Sequence, residues 1–144
     1  GFEVKHMLQV LRDALRDRRL KLSTPVEATV VYHDPCELGR VEEMYDAARE
    51  VLSAIPGLKV VEFRRSRFTS RCCGAGGMVK ATYPDMALGL AKMRVEEALE
   101  LGADMIVSSC PTCKLNMMDA IADSGKKMRM VDVTEIISDI LEEA

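Results

Sequence analysis

Five cysteines carry the chemistry this sequence can do: Cys36 alone, Cys72 beside Cys73, and Cys110 with Cys113 as a Cys-x-x-Cys pair. Thiolates are soft ligands, suited to zinc and to iron–sulfur clusters. A disulfide framework would need an oxidising compartment and would leave one cysteine over. A structural zinc site takes four ligands in a tetrahedron. It would leave one thiol idle, and it usually shows two Cys-x-x-Cys knuckles where this chain has one. A cubane iron–sulfur cluster also commonly takes four thiolates, but adjacent Cys72 and Cys73 fit opposite corners of a regular cube poorly. Adjacent ligands suit an open or irregular cluster, which has use for a fifth thiolate. The set therefore reads as iron–sulfur ligands, with zinc as the alternative.

The flanking residues agree with an anionic inorganic centre. Gly74, Gly76 and Gly77 around Ala75 let backbone N–H groups approach closely and form an anion-binding nest. Pro111 suits the first turn of a helix whose N-terminal partial charge would favour the thiolate form of Cys110 and Cys113. His33 and Asp34, next to Cys36, are candidates for orienting or tuning the site. Arg64, Arg65, Arg67 and Arg71 precede the adjacent cysteines. They read either as a solvated loop or as a surface for an acidic partner or an anionic substrate. Asn116 is placed to hydrogen-bond a loop backbone. The methionines near the last cysteines, Met117, Met118, Met128 and Met130, read as core filler.

These side chains are far apart in sequence, so the fold must gather them. Apolar residues at Val4, Met7, Leu8, Leu11 and Leu15 predict a helix over 3–19. Strands are predicted over 28–32, 59–63, 105–108 and 128–133. Helices are predicted from Val41 to Ser53, over 84–101 with Pro84 at its start and Gly102 past its end, from Pro111 to about Ala122, and after a cap at Thr134 with Glu135 and Asp139 on its exposed side. Alternating strands and helices imply parallel strands with right-handed crossovers. The fold class is thus α/β: a Rossmann-like, three-layer domain with a parallel sheet of about four strands. The loops after the first three strands then share the carboxyl edge, where such sheets bind ligands. All five cysteines lie on those loops.

At 144 residues and 48% hydrophobic, the chain suits one domain with a sizeable core. A net charge of −3 asks for neither nucleic acid nor a membrane surface. No apolar run approaches the roughly 18 residues of a bilayer span, and no signal peptide opens the chain. Reduced thiols point to the cytoplasm. The opening at Gly1 reads as the start of a carboxy-terminal part of a larger protein.

The runs His33-Asp34-Pro35-Cys36, Cys72-Cys73-Gly74-Ala75-Gly76-Gly77 and Cys110-Pro111-Thr112-Cys113-Lys114-Leu115-Asn116 resemble the cysteine-rich CCG domain. That family is found in catalytic subunits of heterodisulfide reductases and in iron–sulfur subunits of glycolate, lactate and glycerol-3-phosphate oxidoreductases. The resemblance covers about residues 28–118 and departs at Glu37, where relatives often carry His, and at Met78, where a third glycine is common. It implies a noncubane [4Fe-4S] cluster held by Cys36, Cys72, Cys73, Cys110 and Cys113, working in disulfide reduction, thiol oxidation or electron transfer. The family's sites combine two such motifs, and this chain carries one, which puts activity of the isolated domain in doubt. A structural or electron-relay domain of a dehydrogenase complex, with zinc as its metal, is the other reading. The chain has no ferredoxin-type cysteine run. Its electrons must then come from an iron–sulfur, flavin or cytochrome subunit, through which the protein could also associate with a membrane complex.

Overall fold

Short runs of β-branched and apolar residues supply the strands. In a computed structural model, which describes residues 1–141, β1 (Ala28–Tyr32), β2 (Leu58–Glu62), β3 (Met105–Ser108) and β4 (Arg129–Asp132) form one sheet in the order β2-β1-β3-β4. Every pairing is parallel: Val30 lies opposite Val60 on one side and Met105 on the other, and Ile106 lies opposite Met130. Side chains alternate across the sheet. Val30, Tyr32, Met105 and Val107 face one apolar layer. Val31, Ile106 and Met130 face the other.

The first layer is closed by α1 (Met7–Arg16), α2 (Asp46–Ser53) and α6 (Val133–Ile140), through Leu8, Val51, Leu52, Ile136 and Ile137. The second is closed by α4 (Pro84–Glu100) and α5 (Pro111–Ser124), through Ala91, Val95, Ala98, Met117 and Ala120. A one-turn helix, α3 (Val79–Thr82), precedes α4. Each fully buried Val, Leu or Ile contributes about 1.5–3 kcal/mol over an exposed one, which is why two layers of such residues hold the sheet. The architecture is the expected three-layer α/β fold. Among the described residues, no helix is long and apolar enough to cross a membrane.

Several boundaries shift by one or two residues, and three of the differences have a clear local reason. The first helix begins at Met7, not residue 3, because His6 caps it: its imidazole accepts from the Leu8 N–H, and the Gln9 side chain accepts from the His6 N–H. The helix expected from Val41 is instead a π-helical turn over Glu37–Val41, a break with Glu43 at φ 51°, and then α2 from Asp46. The last helix is capped by Asp132 rather than Thr134. Its carboxylate accepts from the Thr134 N–H at 2.9 Å, and Glu135 accepts from the Asp132 N–H at 2.8 Å. This reciprocal capping box lets the strand pass straight into the helix. The methionine reading holds for Met117, Met128 and Met130, which are buried, but Met118 is exposed.

The strand order reverses direction between β1 and β3: the chain leaves β1 towards β2, then returns across to β3. Such a switch point opens a crevice at the carboxyl edge. Here the two strand ends are tied together by the His33 N–H donating to the Val107 carbonyl at 2.8 Å and the Ser108 hydroxyl donating to the His33 carbonyl at 3.0 Å.

Candidate metal centre

The loop after β1 is held by a buried ion pair. Asp34 accepts from both Nη atoms of Arg49 at 2.8 and 3.0 Å and from the Arg67 N–H at 2.7 Å. Arg49 also binds both oxygens of Glu62 and the Tyr45 carbonyl, and lies 5.3 Å from the centre of the Tyr32 ring. Arg40, on the π-helical turn, donates to the Ser70 carbonyl at 2.6 Å. Asp34 and Arg40 therefore stitch the Cys36 loop to the loop that carries Cys72 and Cys73. The alternation of β1 continues into His33, which shares the α4/α5 side with Val31. Its imidazole is buried and meets the cysteines there.

In the second loop, Gly74 is the residue whose missing side chain matters. It adopts φ 92°, and a Cβ would stand 2.8 Å from the Leu90 Cβ and 2.9 Å from the Ala87 carbonyl. This contact presses the Cys72–Ala75 turn against α4. The Gly74 N–H points at the Cys72 sulfur at 3.4 Å, and the Ala75 N–H at the Cys73 sulfur. Gly77 also has positive φ, at 60°, whereas Gly76 does not, and both face open space. Asn116 pins the turn from the other side. Its Nδ2 donates to the Cys73 carbonyl at 2.8 Å and the Ala87 carbonyl at 2.9 Å, while its Oδ1 accepts from Lys80 at 3.0 Å.

The third loop ends β3 and starts α5. Cys110 occupies the cap position in extended conformation, Pro111 opens the helix, and Cys113 falls in its first turn. The N–H groups of Cys113 and Thr112 face the Cys110 sulfur without closing a formal capping bond. The hydroxyls of Tyr32 and Ser109 share a hydrogen bond of 2.8 Å beside it.

Across these loops, the Cys73 and Cys113 sulfurs and the His33 imidazole come together. The thiols of Cys113 and Cys72, the His33 imidazole and the Ala75 N–H all donate towards the Cys73 sulfur, and hold it far below the ordinary thiol range against the upward push of burial. Cys110 is drawn down to about 6 by the Cys113 thiol and then by the two helix-start N–H groups. Cys113, shared between Cys110 and Cys73, and Cys72, beside Cys73, are pushed up instead. Cys36, on the first loop, is exposed.

Cys73 and Cys113 are each 3% exposed, and with His33 their ligand atoms lie within 4.8 Å of one another. The Nδ1 of His33 is buried with no hydrogen-bond partner, and burial holds the ring below its ordinary pKa. Soft donors brought this close fit a thiophilic metal centre. A metal would displace the protons of the thiols it bound.

The basic run divides in two. Arg64 pairs with Glu100 at 2.8 Å and Arg67 with Asp46 at 2.8 Å. Arg65 and Arg71 are exposed and make no side-chain ion pair among the described residues. Sequence reasoning overlooked Arg40, Arg49 and Arg94. Arg94 was legible, because it falls on the same helix face as Ala87, Ala91 and Ala98. Arg49 and Arg40 left no such signal, since their partners are fixed only by the folded loops.

The CCG family of cysteine-rich domains matches residues 30–118. The chain is 46% identical over 140 residues to a protein of Methanosarcina mazei that is one subunit of its dihydromethanophenazine:CoB–CoM heterodisulfide reductase, an alignment covering 97% of this chain and 34% of that protein. It is 36% identical to the probable iron-sulfur-binding oxidoreductase FadF of Bacillus subtilis, over 96% of this chain and 20% of that one. It is 33% identical to one of the subunits of the fumarate reductase (CoM/CoB) of Methanothermobacter marburgensis, over 90% of this chain and 25% of that one. The chain spans about a third or less of the length of these curated relatives. With the three cysteine loops gathered at one sheet edge and the match running through all of them, the chain belongs to the cysteine-rich CCG domain family.

Proposed function

We propose that this chain is the iron–sulfur module of a heterodisulfide-reductase-type oxidoreductase, in which Cys36, Cys72, Cys73, Cys110 and Cys113 hold a noncubane [4Fe-4S] cluster. The observation that carries this reading is the approach of Cys73 and Cys113, from two loops, within 4.8 Å of each other and of His33, with Cys72 and Cys110 next to them on those loops. Thiolate-rich pockets of this kind suit iron–sulfur centres, and the relatives named as an iron–sulfur oxidoreductase or as part of a heterodisulfide reductase support that choice.

A bound cluster of this kind would supply the electrons that cleave a disulfide or take up those of two thiols. The chain's own residues divide the remaining work. Cys73 and Cys113, buried, anchor the inner side, while Cys36 and Cys72 stand on the solvent side, where a small thiol or disulfide can approach. Asp34, Arg49 and Asn116 fix the loops so that the sulfurs keep their spacing. Arg65 and Arg71, exposed on the loop that leads to Cys72, attract an anionic substrate or an acidic partner. Electrons are exchanged with an iron–sulfur, flavin or cytochrome subunit. The module is one part of a longer cytoplasmic protein, joined to any membrane complex through that subunit. A second reading has one observation in its favour: His33, Cys73 and Cys113 already approach one another as three zinc ligands would.

Oxygen-free purification followed by EPR of the oxidised protein, with and without an added alkyl thiol, tests the proposal. The expected result is an iron–sulfur signal that changes on thiol addition. A protein that holds zinc, has no sulfide and gives no such signal contradicts it.

A further inference from the structure

Arg94 is the largest fully buried side chain among the described residues, at 1% exposure. It stands on the face of α4 that also buries Ala87, Ala91, Val95 and Ala98, in the apolar layer shared by Cys73, Cys113 and Phe63. Ala87, two turns away on that face, receives the Asn116 bond and meets Gly74. The guanidinium lies 3.4 Å from the centre of the Phe63 ring. One nitrogen, Nη1, donates to Glu97 at 3.1 Å, while Nε and Nη2 have no partner. The other Glu97 oxygen is taken by the Arg64 N–H at 2.8 Å.

This is an expensive arrangement for a fold. A buried cation with two unsatisfied N–H-bearing nitrogens carries a desolvation cost, and replacing buried ionic groups by apolar ones is often neutral or stabilising. Even with the Phe63 stack and the Glu97 bond, stability is a weak reason for a guanidinium here. Burial draws its pKa down to about 10, so the charge persists at neutral pH. That charge reaches the metal-centre residues: it acts on His33, whose ring meets the Cys73 sulfur, and Asp34 and Arg71 act on it in turn.

We propose that Arg94 is a positioning residue for charge: a fixed, desolvated cation behind the cysteine loops that favours the reduced state of the centre and raises its reduction potential. The inference rests on the iron–sulfur reading above. Taking up one electron from the redox group of a partner makes the thiolate-bound centre more negative by one charge. A nearby cation favours that state, and the low-dielectric layer around it leaves the field poorly screened. Glu97 opposes it with partial neutralisation.

The test is an EPR-monitored redox titration of the oxygen-free, cluster-loaded protein and three variants, each with iron and sulfide counted. Arg94→Met should load iron and sulfide as the parent does. Its reduced-to-oxidised ratio at a given potential should fall about tenfold, a shift of about 59 mV to more negative potential for one electron. Arg94→Lys, which keeps the charge, should recover most of that shift. Glu97→Gln, nearly isosteric and still able to accept from Arg64, should move the potential the other way. A loaded Arg94→Met with the parent's potential, or an Arg94→Lys displaced as far as Arg94→Met, overturns the proposal. If Arg94→Met does not fold, a Glu97→Gln potential that is unchanged or more negative overturns it. A parent with iron and sulfide but unmoved variants sinks Arg94's role alone. A parent with zinc and no sulfide sinks the iron–sulfur reading, and this one with it.

Discussion

Gly74 and Met78 lie four residues apart and show opposite sides of one backbone rule. Both have positive φ, 92° and 65°. Gly74 also has no room for a Cβ, with Leu90 and the Ala87 carbonyl under 3 Å away. Gly74→Ala must therefore strain the backbone and push the turn off α4. It should lower stability by about 2 kcal/mol or more and reduce metal retention, as measured by denaturant unfolding and metal analysis. Met78, at the same kind of backbone conformation, is exposed, and a left-handed non-glycine residue costs about 1–2 kcal/mol. Met78→Gly should raise stability by about 1 kcal/mol and leave metal content unchanged. Cys110 gives a pH prediction. Its thiol is drawn down to about 6, so the reactive thiolate persists until pH falls through that value. In metal-free, reduced protein, alkylation of Cys110 should stay fast at pH 7 and halve near pH 6. A rate that instead halves near the ordinary value of about 8.5 would contradict the assigned environment.

The loops owe their shape to a few cross-links between elements. Asp34 accepts from α2 through Arg49 and from the second cysteine loop through the Arg67 N–H. Asp34→Ala strands a largely buried guanidinium, with its side chain 11% exposed. Breaking such a pair costs about 3–5 kcal/mol, reduced here because Glu62 still holds Arg49. Asn116→Leu leaves the Cys73 and Ala87 carbonyls without their donor. It should cost about 1–3 kcal/mol and weaken metal retention, with the far-ultraviolet circular dichroism unchanged. The strands were legible because Ala28–Tyr32 and Met105–Ser108 are short apolar runs that end at the cysteine motifs. Helix α4 was legible from Pro84, Gly102 and its length. The π-helical turn was not, because Arg40 reaches Ser70 and Asp34 reaches Arg67 only after the loops meet. The cap at Asp132 was missed because a strand residue also serves the next helix. The ligand candidates were legible as a set of thiols, yet the opposite pKa shifts of Cys73 and Cys113 depend on contacts between loops.

In the whole molecule, a parallel sheet with a switch point between β1 and β3 brings cysteines that are dozens of residues apart to one edge. The CCG relatives are far longer than this chain, and the cysteines of the proposed metal centre all lie within residues 36–113. The most direct measurement is therefore the count of iron, acid-labile sulfide and zinc per chain after oxygen-free purification, for the parent and for Cys36→Ser and Cys73→Ser. The account predicts about four irons and four sulfides per chain in the parent, as for a [4Fe-4S] cluster, with loss of cluster in both variants. One zinc with no sulfide, or a Cys73→Ser protein that keeps its full iron, would contradict it.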